Sequence, residues 1–277
     1  NNLTLSGDAS VTMTVAQHNA FTTITADGTE QITLSDAGTV SGDSDVETYV
    51  LADGTNTFTA ADGGQSVVGG TGADDITGGT GADDLSGGGG NDTITGGSGG
   101  DTINAGSGDD TLIYTDGADL SGDASVDGGA GTDTIRFTSA TADVDDADFA
   151  NVSGDSIEAI QLSGDGNTSL TLAASGDAAT NNLVITGADQ TGGSGDTIDV
   201  SGMTEAVTIN AGSGDDTITG GGGADTIDAG AGDDTLIYTD GSDLSGDSSV
   251  DGGLGDDTIR FTSATASVDD ADFANVA

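Results

Sequence analysis

A nine-residue unit recurs along the chain and brings an aspartate to the same place each time. From Gly69 the sequence reads GGTGADDIT, GGTGADDLS, GGGGNDTIT, GGSGGDTIN and AGSGDDTLI without a gap. The unit returns at Gly128 (GGAGTDTIR), Ala211 (AGSGDDTIT), Gly220 (GGGGADTID), Ala229 (AGAGDDTLI) and Gly252 (GGLGDDTIR). Each unit is a glycine turn, an Asp at the sixth place and one large aliphatic residue at the eighth. Glycine permits sharp turns with carbonyls pointing inward. The single aliphatic residue, flanked by small polar ones, reads as a strand with one buried side chain.

Two units then make one coil: turn, strand, opposite turn, strand back. Coils stack at roughly 4.8 Å, the spacing of hydrogen-bonded strands. Turns on one edge come from every second unit, which sets Asp74 over Asp92 over Asp110, and Asp83 over Asp101 on the other edge. Carboxylates stacked at about 4 Å repel by roughly 4 kcal/mol at a surface-like dielectric. A hard divalent cation between turns reverses that sign, and a site built mostly of carbonyl oxygens suits calcium. Magnesium holds its water too tightly for such a site, and zinc would require His or Cys.

Composition agrees. There are 49 acidic residues and two basic ones, a net charge of −47, with 50 glycines and no cysteine or proline. Of the acids 45 are Asp and four are Glu (Glu30, Glu47, Glu158, Glu205). A merely solvated or salt-adapted surface would use both types freely and would not space them by nine. Few large apolar residues with such charge is otherwise the composition of a disordered chain; a bound cation supplies the missing stabilisation. The charge argues against nucleic acid and against anionic lipid. No run has the length of a transmembrane helix, no signal segment opens the chain, and the lack of cysteine fits a secreted protein stabilised by metal rather than disulfides.

A longer repeat contains the shorter one. Residues 105–153 match 229–277 at 42 of 49 positions, both carrying LIYTDG, LSGD, an isolated nonapeptide, RFTSATA and VDDADFANV. The expected organisation is a β-rich end of a preceding unit (1–40), a first module (41–152, with the block 69–113 and the isolated unit 128–136) and a second module (153–276, with the block 192–237 and the isolated unit 252–260). Ala277 stops where a third module would start, so the chain reads as a piece of a longer tandem array. No helical period is visible. The heads and tails of the modules alternate in short runs between turns, which reads as strands.

The pattern GGxGxDxUx resembles the RTX (hemolysin-type calcium-binding repeat) family, through ten units covering about a third of the chain. The resemblance implies an all-β fold: a parallel β-roll or β-helix solenoid with RTX turns, interleaved with short strand segments. It implies Ca²⁺ held by turn carbonyls and the sixth-position Asp, and type I secretion from a Gram-negative cell. The ligands it implies are Asp74, Asp83, Asp92, Asp101, Asp110, Asp133, Asp216, Asp225, Asp234 and Asp257. Asp196 joins them from a departing unit, Gly192–Asp199 (GGSGDTID), one residue short. The isolated units at 128 and 252 either dock on a neighbouring coil or bind nothing.

Other features read more plainly. VDDAD (144–148 and 268–272) is either a further calcium site or a solvated loop. His18 reads as a surface histidine, Tyr114 and Tyr238 as packing at a coil end, and Arg136 and Arg260 as partners of nearby Asp. With one histidine and no cysteine no nucleophilic triad assembles, and nine aromatics offer little platform for sugar. The expected function is an extracellular, non-catalytic structural protein on the cell surface, whose modules fold on Ca²⁺ and self-associate into a surface layer, fibre or matrix. A glycan or lipopolysaccharide anchor would lie elsewhere in the full protein. The alternatives are the stalk of an adhesin and the secretion module of an exported enzyme.

Overall fold

The computed structural model describes residues 1–153, 156–164, 166–172, 183–187, 195–264 and 267–277. The described residues form an all-β parallel solenoid. Two compact units divide it: Asn1–Tyr114 with Ser121–Thr134 and Asn151–Ser156, and Thr115–Leu120 with Ile135–Ala150 and Ile157–Ala277.

In the first unit, seven strands pair in parallel from Ser10–Met13 through Gln31–Leu34, Thr48–Val50, Ser66–Val68, Asp84–Gly89 and Thr102–Ser107 to Ser125–Ala130. A second row runs Thr39–Ser41, Thr57–Thr59, Asp75–Thr80, Thr93–Ser98, Thr111–Tyr114. Consecutive nonapeptides alternate between the rows, and the register sets Ile76 beside Ile94 and Leu85 beside Ile103. The two-unit coil is therefore observed, and the period is set by residue count alone. The second unit repeats the scheme. One row runs Ala159–Leu162, Val184–Thr186, Thr208–Asn210, Thr226–Asp228, Ser249–Asp251. The other runs Asp143–Asp145, Ser169–Thr171, Thr197–Asp199, Thr217–Thr219, Thr235–Tyr238, Thr258–Phe261.

The core is a file of eighth-position side chains. Ile76, Leu85, Ile94, Ile103 and Leu112 are buried in the first unit, where Val126, outside the nonapeptides, continues the file beside Ile103, and Ile198, Ile218, Ile227 and Leu236 are buried in the second. Each contributes about 1.5–3 kcal/mol by leaving water. Period-2 alternation is visible in Asp75–Thr80, where Ile76 and Gly78 point inward. First-position residues thus also face the interior, and Ala105, Ala211 and Ala229 are buried there. At those three positions the inward place holds a methyl group. The N-terminal coils use larger fillers: Tyr49 packs on Phe58 with ring centroids 4.8 Å apart.

Several expectations need correction. Helix does occur, as single turns at Val15–His18, Gly117–Ser121 and Gly241–Leu244, with a 3₁₀ turn at Asp146–Phe149. One turn is too short to show a period; capping side chains define these elements instead. VDDAD is one such cap: the Asp145 side chain accepts the Ala147 N–H at 2.8 Å while Asp148 accepts the Asp145 N–H at 2.9 Å. Asp269 and Asp272 repeat the arrangement. His18 is buried rather than on the surface, with Nε2 3.3 Å from the Tyr49 hydroxyl and Nδ1 3.2 Å from Asn19 Oδ1. No helix among the described residues is long and apolar enough to cross a membrane.

Candidate metal centre

The sixth-position aspartates form a ladder. In each rung the backbone N–H of one Asp donates to Oδ1 of the Asp in the next coil. Asp74 donates to Asp92 at 2.8 Å, Asp92 to Asp110 at 2.7 Å and Asp110 to Asp133 at 2.8 Å. On the opposite edge Asp83 donates to Asp101 at 2.8 Å. In the second unit Asp196 donates to Asp216 at 2.6 Å, Asp216 to Asp234 at 2.7 Å and Asp234 to Asp257 at 3.0 Å. Asp225 stands on the other row, with Oδ1 accepting the Val207 N–H at 2.9 Å.

All but one of the eleven predicted residues are buried; Asp257, in the last described coil, is exposed. Asp196 keeps its place in the column despite its shortened unit, whose first residues, 192–194, lie outside the described ones. The isolated unit at 128 docks as the next coil, with Gly129 registered against Gly106. The intervening segment lengthens the step from Asp110 to Asp133 without breaking the column.

Burial leaves the second carboxylate oxygen in difficulty. Oδ2 of Asp83, Asp92, Asp110, Asp216 and Asp234 is buried without a hydrogen-bond donor. An ionised oxygen withdrawn from water and unpaired is strongly disfavoured. Burial accordingly pushes the carboxyls of Asp83 and Asp92 up to about 6 and that of Asp216 to about 7, with neighbouring carboxylates adding to the rise. The Asp110 and Asp234 carboxyls move in the same direction for the same reason. Backbone N–H donation to Oδ1 opposes the shift and is outweighed.

Glycines shape the space around these oxygens. The second and fourth places carry positive φ in most units, as at Gly88 (102°) and Gly90 (121°). A Cβ on Gly90 would meet the Gly72 backbone at 2.5 Å. The first-position glycine lies against its own unit's carboxylate: a Cβ on Gly78 would meet Asp83 Oδ2 at 2.9 Å. The unit at Gly220 differs, since none of its four glycines has positive φ and the Gly221 N–H donates to Asp225 Oδ2 at 3.0 Å.

Nowhere among the described residues do three His, Cys, Asp or Glu side chains converge to hold a metal. Most oxygens around an ion would therefore come from backbone carbonyls, which excludes a zinc-type donor set and agrees with a hard cation. The residues present fit calcium: glycine turns packed against the carboxylates, all-oxygen donors, and buried carboxylate oxygens without a hydrogen-bond donor.

A family model described as an RTX calcium-binding nonapeptide repeat matches residues 59–94, 86–120 and 208–236. The chain carries RTX calcium-binding repeats. Comparison with curated proteins and with solved structures gave no match. The matched segments contain Asp74, Asp83, Asp92, Asp101, Asp110, Asp216, Asp225 and Asp234; Asp133, Asp196 and Asp257 lie beyond them and enter the RTX columns by geometry.

The structure adds members that spacing did not reveal. Asp123 accepts the Asp101 N–H at 3.1 Å, and Asp247 accepts the Asp225 N–H at 3.2 Å. Their Oδ2 atoms accept hydrogen bonds from the Tyr114 and Tyr238 hydroxyls, each at 2.9 Å. The signal was present as a Tyr-to-Asp offset of nine shared by the two long repeats. Asn56 and Gln65 occupy sixth places below Asp74 and Asp83, whose Oδ1 atoms accept their N–H groups at 2.8 and 2.7 Å. A second, exposed line runs through fifth places: Asp233 donates to Asp215 Oδ1 at 3.0 Å, and Asp256 to Asp233 Oδ1 at 2.9 Å.

Proposed function

We propose that this chain is part of an extracellular structural protein whose two repeat modules, 41–152 and 153–276, fold and stiffen on calcium. The ions would be held by turn carbonyls together with Asp74, Asp83, Asp92, Asp101, Asp110, Asp133, Asp196, Asp216, Asp225, Asp234 and Asp257. The observation that carries the reading is the buried, donor-less Oδ2 of Asp83, Asp92, Asp110, Asp216 and Asp234. Bound calcium supplies positive charge between coils. The chain's own part is to hold the carboxylates in register through the Oδ1 ladder, to aim the turn carbonyls inward, and to exclude water with the file of aliphatic residues.

The reading extends to assembly and export. Near-identical tails (105–153 and 229–277) repeat the same sequence 124 residues apart, and such repetition suits self-association into a layer, fibre or matrix on a Gram-negative cell surface. A chain of charge −47 repels itself while calcium is scarce. It would pass unfolded through a type I secretion system and fold outside, each ion bound only by the folded form adding stability by mass action.

The test is dialysis of the purified chain against EGTA, then return of calcium or magnesium, followed by circular dichroism and sedimentation. Calcium restores β-structure and larger assemblies; magnesium does neither. Circular dichroism indifferent to EGTA ends the calcium reading. Calcium-folded monomers would keep that reading and favour an adhesin stalk over a self-assembling layer.

A further inference from the structure

Asn56 holds the sixth place of a degenerate unit, residues 51–59 (LADGTNTFT). Its strand pairs in the register Thr57 to Asp75, so Asn56 lies one coil below Asp74. The side chain is buried. Its Nδ2 is 2.8 Å from Ala52 O, 2.9 Å from Gly54 O and 2.8 Å from Asp74 Oδ1. Three oxygens thus surround one nitrogen. The reverse amide orientation would set an oxygen against three acceptors, so chemistry fixes this one. The amide oxygen accepts the Gly38 N–H at 3.2 Å.

One coil higher, the same register puts Gly70 and Gly72 in the places of Ala52 and Gly54, Asp92 in the place of Asp74, and Asp74 in the place of Asn56. An amide donor has been exchanged for a carboxylate, which only accepts. The consequence is visible in the second oxygens. Asp74 Oδ2 accepts the Gly70 N–H at 3.2 Å, whereas Asp92 Oδ2 is buried with no donor. An oxygen-lined place that N–H groups satisfy in one coil needs another positive species where the donor is gone.

We propose that the Asn56 amide is a built-in surrogate for the ion, ending the calcium column on its edge, so that the coil of residues 51–56 stays ordered without calcium and forms the base on which the column loads. The proposal rests on the calcium reading above. The other edge shows why the residue type matters. Gln65 sits below Asp83, but its longer arm turns Nε2 down to Asp43 O at 3.0 Å and to Val46 O, away from Asp83. Asp83 Oδ1 accepts the Gln65 backbone N–H at 2.7 Å, whereas Asp74 Oδ1 accepts both the backbone and the side-chain N–H of Asn56. The shorter Asn reaches up to the next carboxylate and the Gln does not.

The experiment uses the whole chain and two variants, Asn56→Asp and Asn56→Ala. Calcium stoichiometry is measured by equilibrium dialysis, and thermal midpoints in EGTA and in saturating calcium. Asn56→Asp completes a site, so it should bind one more ion per chain than the unaltered protein. It should melt below the unaltered protein in EGTA and recover in calcium. Asn56→Ala should melt lower in EGTA with its ion count unchanged. A folded Asn56→Asp chain with an unchanged ion count overturns the proposal. If Asn56→Asp does not fold in calcium, Asn56→Ala decides: an EGTA midpoint equal to that of the unaltered chain, or an altered ion count, overturns it. Failure of the underlying reading looks different, since the unaltered chain would then bind no calcium at all.

Discussion

Asp92 carries the central conflict in its two oxygens. Oδ1 accepts the Asp74 N–H and holds the coil in register; Oδ2 is buried without a donor, and its carboxyl is pushed up to about 6. Asn at this position keeps an acceptor for the ladder and removes the charge. We expect Asp92→Asn to cross over. In EGTA it should be as stable as the unaltered chain or more so, because an unpaired buried charge costs about 1–3 kcal/mol or more. In calcium it should be less stable and bind less calcium. Melting curves in the two buffers decide; a variant destabilised equally in both would assign Asp92 a purely structural role. Glycine is the second residue-scale determinant. Gly90 has a φ of 121° and no room for a Cβ against Gly72. Gly90→Ala should lose at least about 1–2 kcal/mol from backbone strain alone, with or without calcium, read as a lower urea midpoint in both.

At the scale of elements, the coil ends are closed by hydroxyls. Tyr238 is buried and donates to Asp247 Oδ2, and burial pushes the Asp247 carboxyl up to about 6. Removing the donor leaves that oxygen in the state of Asp92 Oδ2 but at the end of its column: the Asp247 N–H donates to Leu244 O, and among the described residues no further sixth-position Asp follows to share an ion. Tyr238→Phe should therefore cost about 1–3 kcal/mol that added calcium does not restore, in contrast to the ladder variants. Urea titrations at low and saturating calcium check this. The pair also shows where the sequence stopped being legible. Rows, register and the columns through Asp74–Asp110 follow from counting by nine, because an unbroken solenoid converts residue number directly into height. Counting fails at Asp123 and Asp247, where the Ala124 and Ser125 N–H groups both donate to Asp101 O and the strand bulges. It fails at Asn56 and Gln65, where the unit keeps its length and its fourth-place glycine but loses its first two glycines and its sixth-place acid. His18 is buried because one helical turn, Val15–His18, sets it beside Tyr49, and so short an element leaves no periodic trace in the sequence. The cap formed by Asp145 and Asp148 was hidden by its composition, since a run of Asp looks alike whether it binds an ion, caps a turn or faces water.

For the molecule as a whole the question is how a charge of −47 is reconciled with a stack of coils. Two kinds of acid respond differently to ions. Exposed ones, such as Asp215, Asp233 and Asp256 at fifth places, lie in water and are screened by any salt, within a Debye length of about 10 Å at 0.1 M. Buried sixth-position oxygens are screened little, because bulk ions do not reach them. Sodium chloride should therefore raise the melting temperature modestly and reach a plateau. Calcium should continue to raise it with the logarithm of concentration. Each ion bound only by the folded chain adds about 2.7 kcal/mol at a hundred times its dissociation constant, and for extracellular calcium modules that constant is about 10⁻⁴–10⁻³ M. On the proposed calcium reading, neighbouring sites would share carboxylates along one column, so loading one would hold the next coil in place and the titration should be steeper than that of a single site. Differential scanning calorimetry at matched ionic strength separates the two effects. If sodium chloride or magnesium reproduced the calcium curve, charge screening of the outer acids would explain the stability, and the buried oxygens would need another source of positive charge.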